Sequence, residues 1–109
     1  VADRIFFATN KSSLTTASRA TLRKQATYLR KNKNLNVTIE GHADERGTRE
    51  YNLALGERRA NAARDYLMTY GISGKRISVI SYGKEKPVNP ASTPLAWSQN
   101  RRSVTVKVN

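Results

Sequence analysis

Strand-like and helix-like residue patterns alternate along the chain, and this alternation limits the folds open to it. Residues 35–41 and 103–108 alternate apolar with polar side chains, which is typical of half-buried strands. Residues 4–7 and 77–82 are short apolar runs that also predict strands. Helical patterns lie between these segments. The predicted order is therefore β-α-β-α-β-(short α)-β, which indicates an α/β (α+β) fold.

The first helix is predicted to begin at Thr15 or Thr16, either of which is a suitable N-cap, and to continue to Lys31. Apolar side chains recur there at helical spacing, while arginines occupy other positions. The apolar positions are Leu22, Ala26 and Leu29. The segment therefore predicts an amphipathic helix with one buried face.

The second helix is predicted between residues 48 and 70, with Gly71 closing it. Gly56 is expected either to kink this helix or to cap a later start. Its inner side is predicted to carry Leu55, Ala63, Tyr66 and Leu67. Further on, Thr93-Pro94 resembles an N-cap followed by the first helical residue, so a short helix is predicted at 95–99.

The charge of the chain is strongly positive and unevenly distributed. Its 109 residues include 20 Lys+Arg, 8 Asp+Glu and no Cys, giving a net charge of +12. Such a charge favours polyanionic partners, either nucleic acid or an anionic membrane surface. Six of the eight acids and the only histidine, His42, lie within residues 40–65, which favours a more selective site. The length predicts one domain, 1–109, and no apolar run is long enough to span a membrane.

The loop at 41–47 concentrates polar side chains between two glycines, directly after a predicted strand. Ligand sites in open α/β sheets gather at the carboxyl ends of strands. One interpretation is a solvated turn in which Asp44 accepts a hydrogen bond from its own backbone. The other is a ligand-binding loop.

Arg59 favours the second interpretation. It shares the apolar stripe of the second helix, whereas its neighbour Arg58 falls on the polar face. A buried guanidinium needs a partner, and its planar fork matches a carboxylate. Two alternatives are open. Either Asp44 and Arg59 form a structural salt bridge, or Asp44 binds a ligand ammonium while Arg59 binds the ligand carboxylate.

Other functional classes receive little support from the sequence. With one His, no Cys and many nearby arginines, we expect no metal site and no cofactor. No serine lies in a nucleophile-elbow context, so we expect no enzyme. Nucleic-acid binding is the alternative function, although no known RNA- or DNA-binding spacing is present and we expect no nucleic-acid partner. Neutral substitution of Asp44 discriminates nucleic-acid binding from binding of a ligand at the 41–47 loop. Loss of this negative charge would strengthen attachment to a polyanion.

Five separated motifs, in order, closely resemble the OmpA-like peptidoglycan-binding domain. They lie at 39–48, 51–52, 55–62, 81–87 and 100–102. The resemblance extends from Ile5 to Val108. It implies a mixed four-stranded sheet packed by two main helices.

The resemblance also implies a binding site for the diaminopimelate of the peptidoglycan stem peptide. Asp44 and Arg59 match the family positions that hold this residue. Supporting contacts fall on Asn52, Leu55 and Arg101. Relatives often carry Asp in the loop after the first strand, where this chain has Asn10, so that charge is missing here.

For the longer protein, the resemblance implies noncovalent binding of peptidoglycan that anchors the outer membrane to the cell wall. Family members of this type are held on the periplasmic face of the outer membrane through an N-terminal lipidated Cys. Because this chain has no Cys, we expect an excised periplasmic domain. A second surface is expected to bind Tol proteins (TolB-like and TolA-like).

Overall fold

Four strands form one mixed sheet in the order β1-β4-β2-β3. The strands are β1 (Arg4–Phe6), β2 (Val37–His42), β3 (Ile77–Gly83) and β4 (Arg102–Lys107). β2 runs parallel to β3 and antiparallel to β4, which also pairs antiparallel with β1. The computed structural model describes residues 2–108, so Val1 and Asn109 of the predicted domain lie outside the described residues. The predicted mixed four-stranded sheet is confirmed.

Three α-helices connect the strands, and each has a threonine as its N-cap. They are α1 (Thr16–Lys31), α2 (Arg49–Thr69) and α3 (Pro94–Asn100). The side chains of Thr15, Thr48 and Thr93 each accept a hydrogen bond from a backbone N–H of the first turn. Thr15 is therefore the N-cap of α1, and the prediction of a Thr-Pro start for α3 is confirmed. Within residues 2–108, no helix combines the length and apolarity that crossing a membrane would require.

The hydrophobic core lies between one face of the sheet and the helices α1 and α2. Its helical members include all the apolar positions predicted for α1, together with Ala63 and Leu67 of α2, whereas Tyr66 is only partly buried. The sheet contributes Ile5, Val37, Ile39 and Ile77. Burial of these side chains fixes β1 against α1 and β2 against α2.

The valines of β4 point away from this core. Val104 and Val106 pair with Glu40 and Thr38, whereas core-facing Ile39 pairs with Thr105. Thr105 donates a hydrogen bond to Gln25 of α1 at 2.8 Å. Alternation in 103–108 thus predicts the strand correctly, but the valines lie on the face opposite the helices, where Val106 is 39% exposed.

Gly56 lies inside α2, which runs uninterrupted from Arg49, so the prediction of a later helix start is wrong. A Cβ on Gly41 of β2 would overlap the carbonyl of Gly56. The two glycines therefore allow the backbones of α2 and β2 to touch. This contact places the first half of α2 beside the loop that follows β2.

Candidate functional site

A polar cleft of about 260 Å³ lies where the loop after β1, the loop after β2 and the first half of α2 meet. Its lining consists of Thr9, Asn10, Asp44, Arg46, Gly47, Tyr51, Asn52, Leu55 and Arg59. Five of the six predicted site residues are in this set. The sixth, Arg101, contacts Asp44 from α3's C-cap position.

Asp44 is 7% exposed and accepts hydrogen bonds from two arginines. Arg46 donates from Nη2 to Oδ2 at 2.8 Å and from Nε to Oδ1 at 3.1 Å, and its backbone N–H also donates to Oδ1. Arg101 donates from Nη1 to Oδ2 at 3.4 Å. Burial raises the pKa of Asp44, but the bonds from Arg46 and Arg101 outweigh it and leave that pKa below its usual value. The predicted bond to its own backbone is therefore present, within a larger network.

Arg59 is fully buried and pairs with backbone carbonyls. Its Nε donates to Lys11 O at 2.9 Å, Nη1 to His42 O at 2.9 Å and Nη2 to Ala8 O at 3.1 Å. Burial lowers the pKa of Arg59 to about 10, so the side chain stays charged at neutral pH. Among the salt bridges of residues 2–108, none joins Asp44 to Arg59. The structural salt bridge, one of the two alternatives, is therefore wrong.

These bonds give Arg59 a positioning role, because they tie the loop after β1 to the end of β2. Of its five N–H groups, three are used in this way and two remain. Arg46, Arg59 and Arg101 together place three positive charges around the single carboxylate of Asp44. The cleft therefore favours a ligand that carries at least one carboxylate.

Asn10 and Asn52 both line the cleft. Asn10 has a positive φ of 58°, which Asn tolerates better than most residues. Its Oδ1 accepts a hydrogen bond from the hydroxyl of Tyr51 at 3.3 Å. Asn52 is buried and donates from Nδ2 to Arg46 O at 2.9 Å, which holds the loop after β2 in place.

Sequence reasoning missed Arg46 as a site residue. Its guanidinium lies over the Trp97 ring at 4.2 Å while holding Asp44. Glu45 accepts a hydrogen bond from Trp97 Nε1 at 2.8 Å, so α3 also supports this loop. The sequence did contain a signal for the role of Arg46. A cation lies two residues after Asp44, and that spacing suits a turn closed by the carboxylate.

His42 does not line the cleft. Its ring is buried, stacks on Tyr82 and lies 3.0 Å, Nε2 to Oε1, from Glu40. Within residues 2–108, no group of three or more His, Asp or Glu side chains is placed to hold a metal ion.

Comparison with known proteins places this geometry in a family. A sequence profile of the OmpA family matches residues 6–101. The peptidoglycan-associated lipoproteins of Rhizobium meliloti and Agrobacterium fabrum are 60% and 56% identical over 97% of this chain. The chain spans 60% of the length of each of these two relatives.

A solved structure agrees with the sequence matches. The crystal structure of the peptidoglycan-associated lipoprotein from Burkholderia pseudomallei superposes with a TM-score of 0.94 at 38% identity, covering 96% of this chain and 89% of that one. The strand order of the α+β fold and the sequence motifs thus indicate the same family. This chain belongs to the OmpA family.

Proposed function

We propose that the domain binds peptidoglycan noncovalently through the diaminopimelate of the stem peptide. The observation that carries the proposal is the meeting of Asp44 and Arg59 in one cleft, with Asn10, Asn52 and Leu55 on its walls. Supporting it, relatives at 60% and 56% identity are named peptidoglycan-associated lipoproteins. Binding without catalysis is the role that we assign to this site.

Diaminopimelate carries an ammonium and a carboxylate at its far end, and the cleft offers a partner for each. Asp44 would accept hydrogen bonds from the ammonium, and Arg59 would donate its two remaining N–H groups to the carboxylate. Arg101 already donates a hydrogen bond to Asp44 and would hold the Asp44 carboxylate in place. Charge-assisted bonds to both groups would orient the ligand.

Arg59 has no exposed surface in the free domain. We therefore expect ligand entry to displace a side chain that lines the cleft beside it. Arg46 and Tyr51 are suited to this, because both are exposed side chains at the cleft wall. Asn10 would then contact the ligand without contributing the negative charge that an Asp at this position would supply.

For the longer protein, we propose a lipid-anchored position on the periplasmic face of the outer membrane, as part of the Tol-Pal system. The relatives' names include the word lipoprotein, and the domain covers only part of each relative. Binding of the domain to peptidoglycan would then anchor the outer membrane to the cell wall. TolB-like and TolA-like proteins are the proposed protein partners.

Co-sedimentation with purified sacculi tests the proposal. Asp44→Asn should weaken binding at least about 30-fold, because the ligand ammonium then meets three arginines and no carboxylate. Asp65→Asn is the matched control, since Asp65 is exposed on α2 and outside the cleft. Thermal melts of both variants verify folding.

Two results would contradict the proposal. Sacculus binding by folded Asp44→Asn at the wild-type level would remove the cleft from recognition. Tighter binding of both variants to sacculi and to RNA would instead favour the alternative function, a basic nucleic-acid-binding domain, because each variant has one negative charge fewer.

A further inference from the structure

Helix α1 and the loop after it carry a broad positive surface. Residues 4–39 include eight Lys and Arg side chains and no Asp or Glu. We define the α1 cationic face as the exposed members of this set on α1 and its following loop, with one lysine from β4. They are Arg23, Lys24, Arg30, Lys31, Lys33 and Lys107.

The helical positions spread these charges over a wide arc. Arg23 and Arg30 are seven residues apart and therefore lie nearly in line on α1, as do Lys24 and Lys31. At about 100° per residue, the two lines are separated by roughly a quarter of the helix circumference. Lys107 adds to the lysine side, since its Nζ lies 5.1 Å from the ring centre of Tyr28.

None of these six cations forms a salt bridge within the described part of the chain. Arg23 and Arg30 instead donate to neutral oxygens of α2 and its C-cap, Tyr66 Oη at 3.0 Å and Tyr70 O at 2.7 Å. The acids on neighbouring elements are Asp3 (which pairs with Arg4), Glu40 of β2, and Glu50, Glu57 and Asp65 of α2, and among the described residues none of them forms an ion pair with the six cations. The positive charge of the face is thus not neutralised by ion pairs within residues 2–108.

The α1 cationic face is separate from the ligand cleft. None of its six residues lines the cleft, which is formed by the loops after β1 and β2 and by α2. A partner on this face would therefore leave the cleft accessible. Helix α1 itself has no large exposed apolar side chain, because Tyr28 is half-buried and the other large apolar residues of the helix point to the core, whereas Val108 beside Lys107 is exposed.

We propose that the α1 cationic face adsorbs to an anionic phospholipid surface. An array of cations spread over a wide arc of α1 matches a plane of anionic headgroups better than it matches a single nucleic-acid strand, which would need a groove. The proposal rests on the proposed function, which places the domain between a membrane and the cell wall. The cleft would hold peptidoglycan while α1 faces the membrane.

The strength of this adsorption should follow simple electrostatics. Each cation near an anionic surface strengthens binding about fivefold. Three neutral substitutions should therefore weaken binding about 100-fold. Because exposed charges are screened over about 10 Å at 0.1 M salt, binding should also fall steeply as salt is raised.

Vesicle co-sedimentation tests the proposal, using phosphatidylcholine vesicles with and without about 30% phosphatidylglycerol. The test variant combines Lys24→Gln, Lys31→Gln and Lys33→Gln. The matched control combines Arg49→Gln, Arg58→Gln and Lys86→Gln, exposed cations outside the face that give the same net charge. We expect wild type and control to bind the anionic vesicles, the test variant to bind about 100-fold more weakly, and none to bind phosphatidylcholine alone.

Three results would overturn the proposal. Wild type could fail to bind anionic vesicles, or test and control variants could lose binding equally, which would make net charge the only cause. The test variant could lose affinity for RNA while wild type ignores vesicles, which would make the face a nucleic-acid surface. Asp44→Asn should keep vesicle binding, and the test variant should keep sacculus binding, so failure of this proposal is distinguishable from failure of the proposed function.

Discussion

Arg46 holds the carboxylate of Asp44 through two side-chain hydrogen bonds, although 42% of its own side chain is exposed. Asp44 is nearly buried, so the pair joins a partly exposed side chain to a buried one. A ligand ammonium that binds Asp44 must compete with this guanidinium. Arg46 therefore lowers the affinity of the site for a cationic group. It also keeps the Asp44 carboxylate paired when no ligand is bound.

The competition leads to a prediction for Arg46→Gln. Removing the guanidinium should tighten stem-peptide binding by up to about fivefold, because the ligand ammonium no longer has to displace a partly exposed guanidinium from Asp44. Calorimetric titration with a diaminopimelate stem peptide measures the change. Arg49→Gln is the control, since Arg49 pairs with Glu85 outside the cleft. Weaker binding by Arg46→Gln would show instead that Arg46 itself contacts the ligand.

The neighbours Arg58 and Arg59 should differ sharply in their contribution to stability. Arg59→Ala removes the donors of three carbonyls and leaves a cavity, so the free energy of unfolding should fall by about 3 kcal/mol or more. Arg58→Ala alters an exposed side chain and should change it by about 0.5 kcal/mol or less. Urea denaturation of both variants checks this. Equal stability would mean that the bonds of Arg59 contribute nothing net.

The helical spacing predicted that Arg59 is buried, but it could not predict its partners. The three carbonyls come from Ala8, Lys11 and His42, which lie 51, 48 and 17 residues away along the chain. Loop backbone conformation decides whether a carbonyl points at the guanidinium, and residue patterns carry no information on it. The same holds for Asp44, whose carboxylate pairs with a neighbour in its own loop and with the distant Arg101.

The sheet illustrates a related limit. Alternation in 103–108 identified β4, yet period two is the same for both faces of a strand. Which face meets the helices depends on the register with β2, where Thr105 lies opposite Ile39. Gly56 is similar, because a glycine in a helical pattern marks a break or a close contact, and only the position of Gly41 decides between them.

His42 should make stability depend on pH. Burial lowers the pKa of His42 below its usual 6.5, so the unfolded chain binds a proton that the folded domain does not. The groups around the ring are Glu40, Arg102, Lys86 and Tyr82. The stability due to neutral His42 is fully present above pH 6.5 and is lost as pH falls through the folded pKa.

Urea denaturation at several pH values measures this effect. Between pH 6.5 and the folded pKa, the free energy of unfolding should fall by up to about 1.4 kcal/mol per pH unit. His42→Gln should flatten this part of the profile. An unchanged slope in the variant would assign the pH dependence to other groups.

The proposed TolB-like partner and peptidoglycan should compete for the domain, because the surface proposed for Tol proteins overlaps the cleft. The loop at 42–48 and the start of α2 would serve both, and this surface includes the exposed Glu45, Arg46 and Glu50. A saturating stem peptide should therefore weaken binding of the TolB-like partner in calorimetry. An unchanged affinity would show that the two ligands occupy separate surfaces.

The cleft should discriminate between stem peptides by their third residue. Lysine offers the ammonium of diaminopimelate without its carboxylate, so Arg59 and the two other arginines would face no ligand anion. A site built to bond a polar group rejects an analogue that lacks this group, because its own buried group stays unpaired. Lysine stem peptides should bind at least about 100-fold more weakly, or about 2.7 kcal/mol at 25 °C.

Amidation of the same carboxylate separates charge from shape. The amide keeps the size of the group but loses the charge-assisted pair with a guanidinium, so binding should weaken in the same direction. Titration of the diaminopimelate, amidated and lysine peptides against this domain measures both effects. Arg58→Gln is a control for net charge, since Arg58 lies outside the cleft and its loss should leave the order of the three affinities unchanged. Equal affinities of the wild-type domain for the three peptides would remove Arg59 from recognition and leave it with the positioning of Ala8, Lys11 and His42 alone.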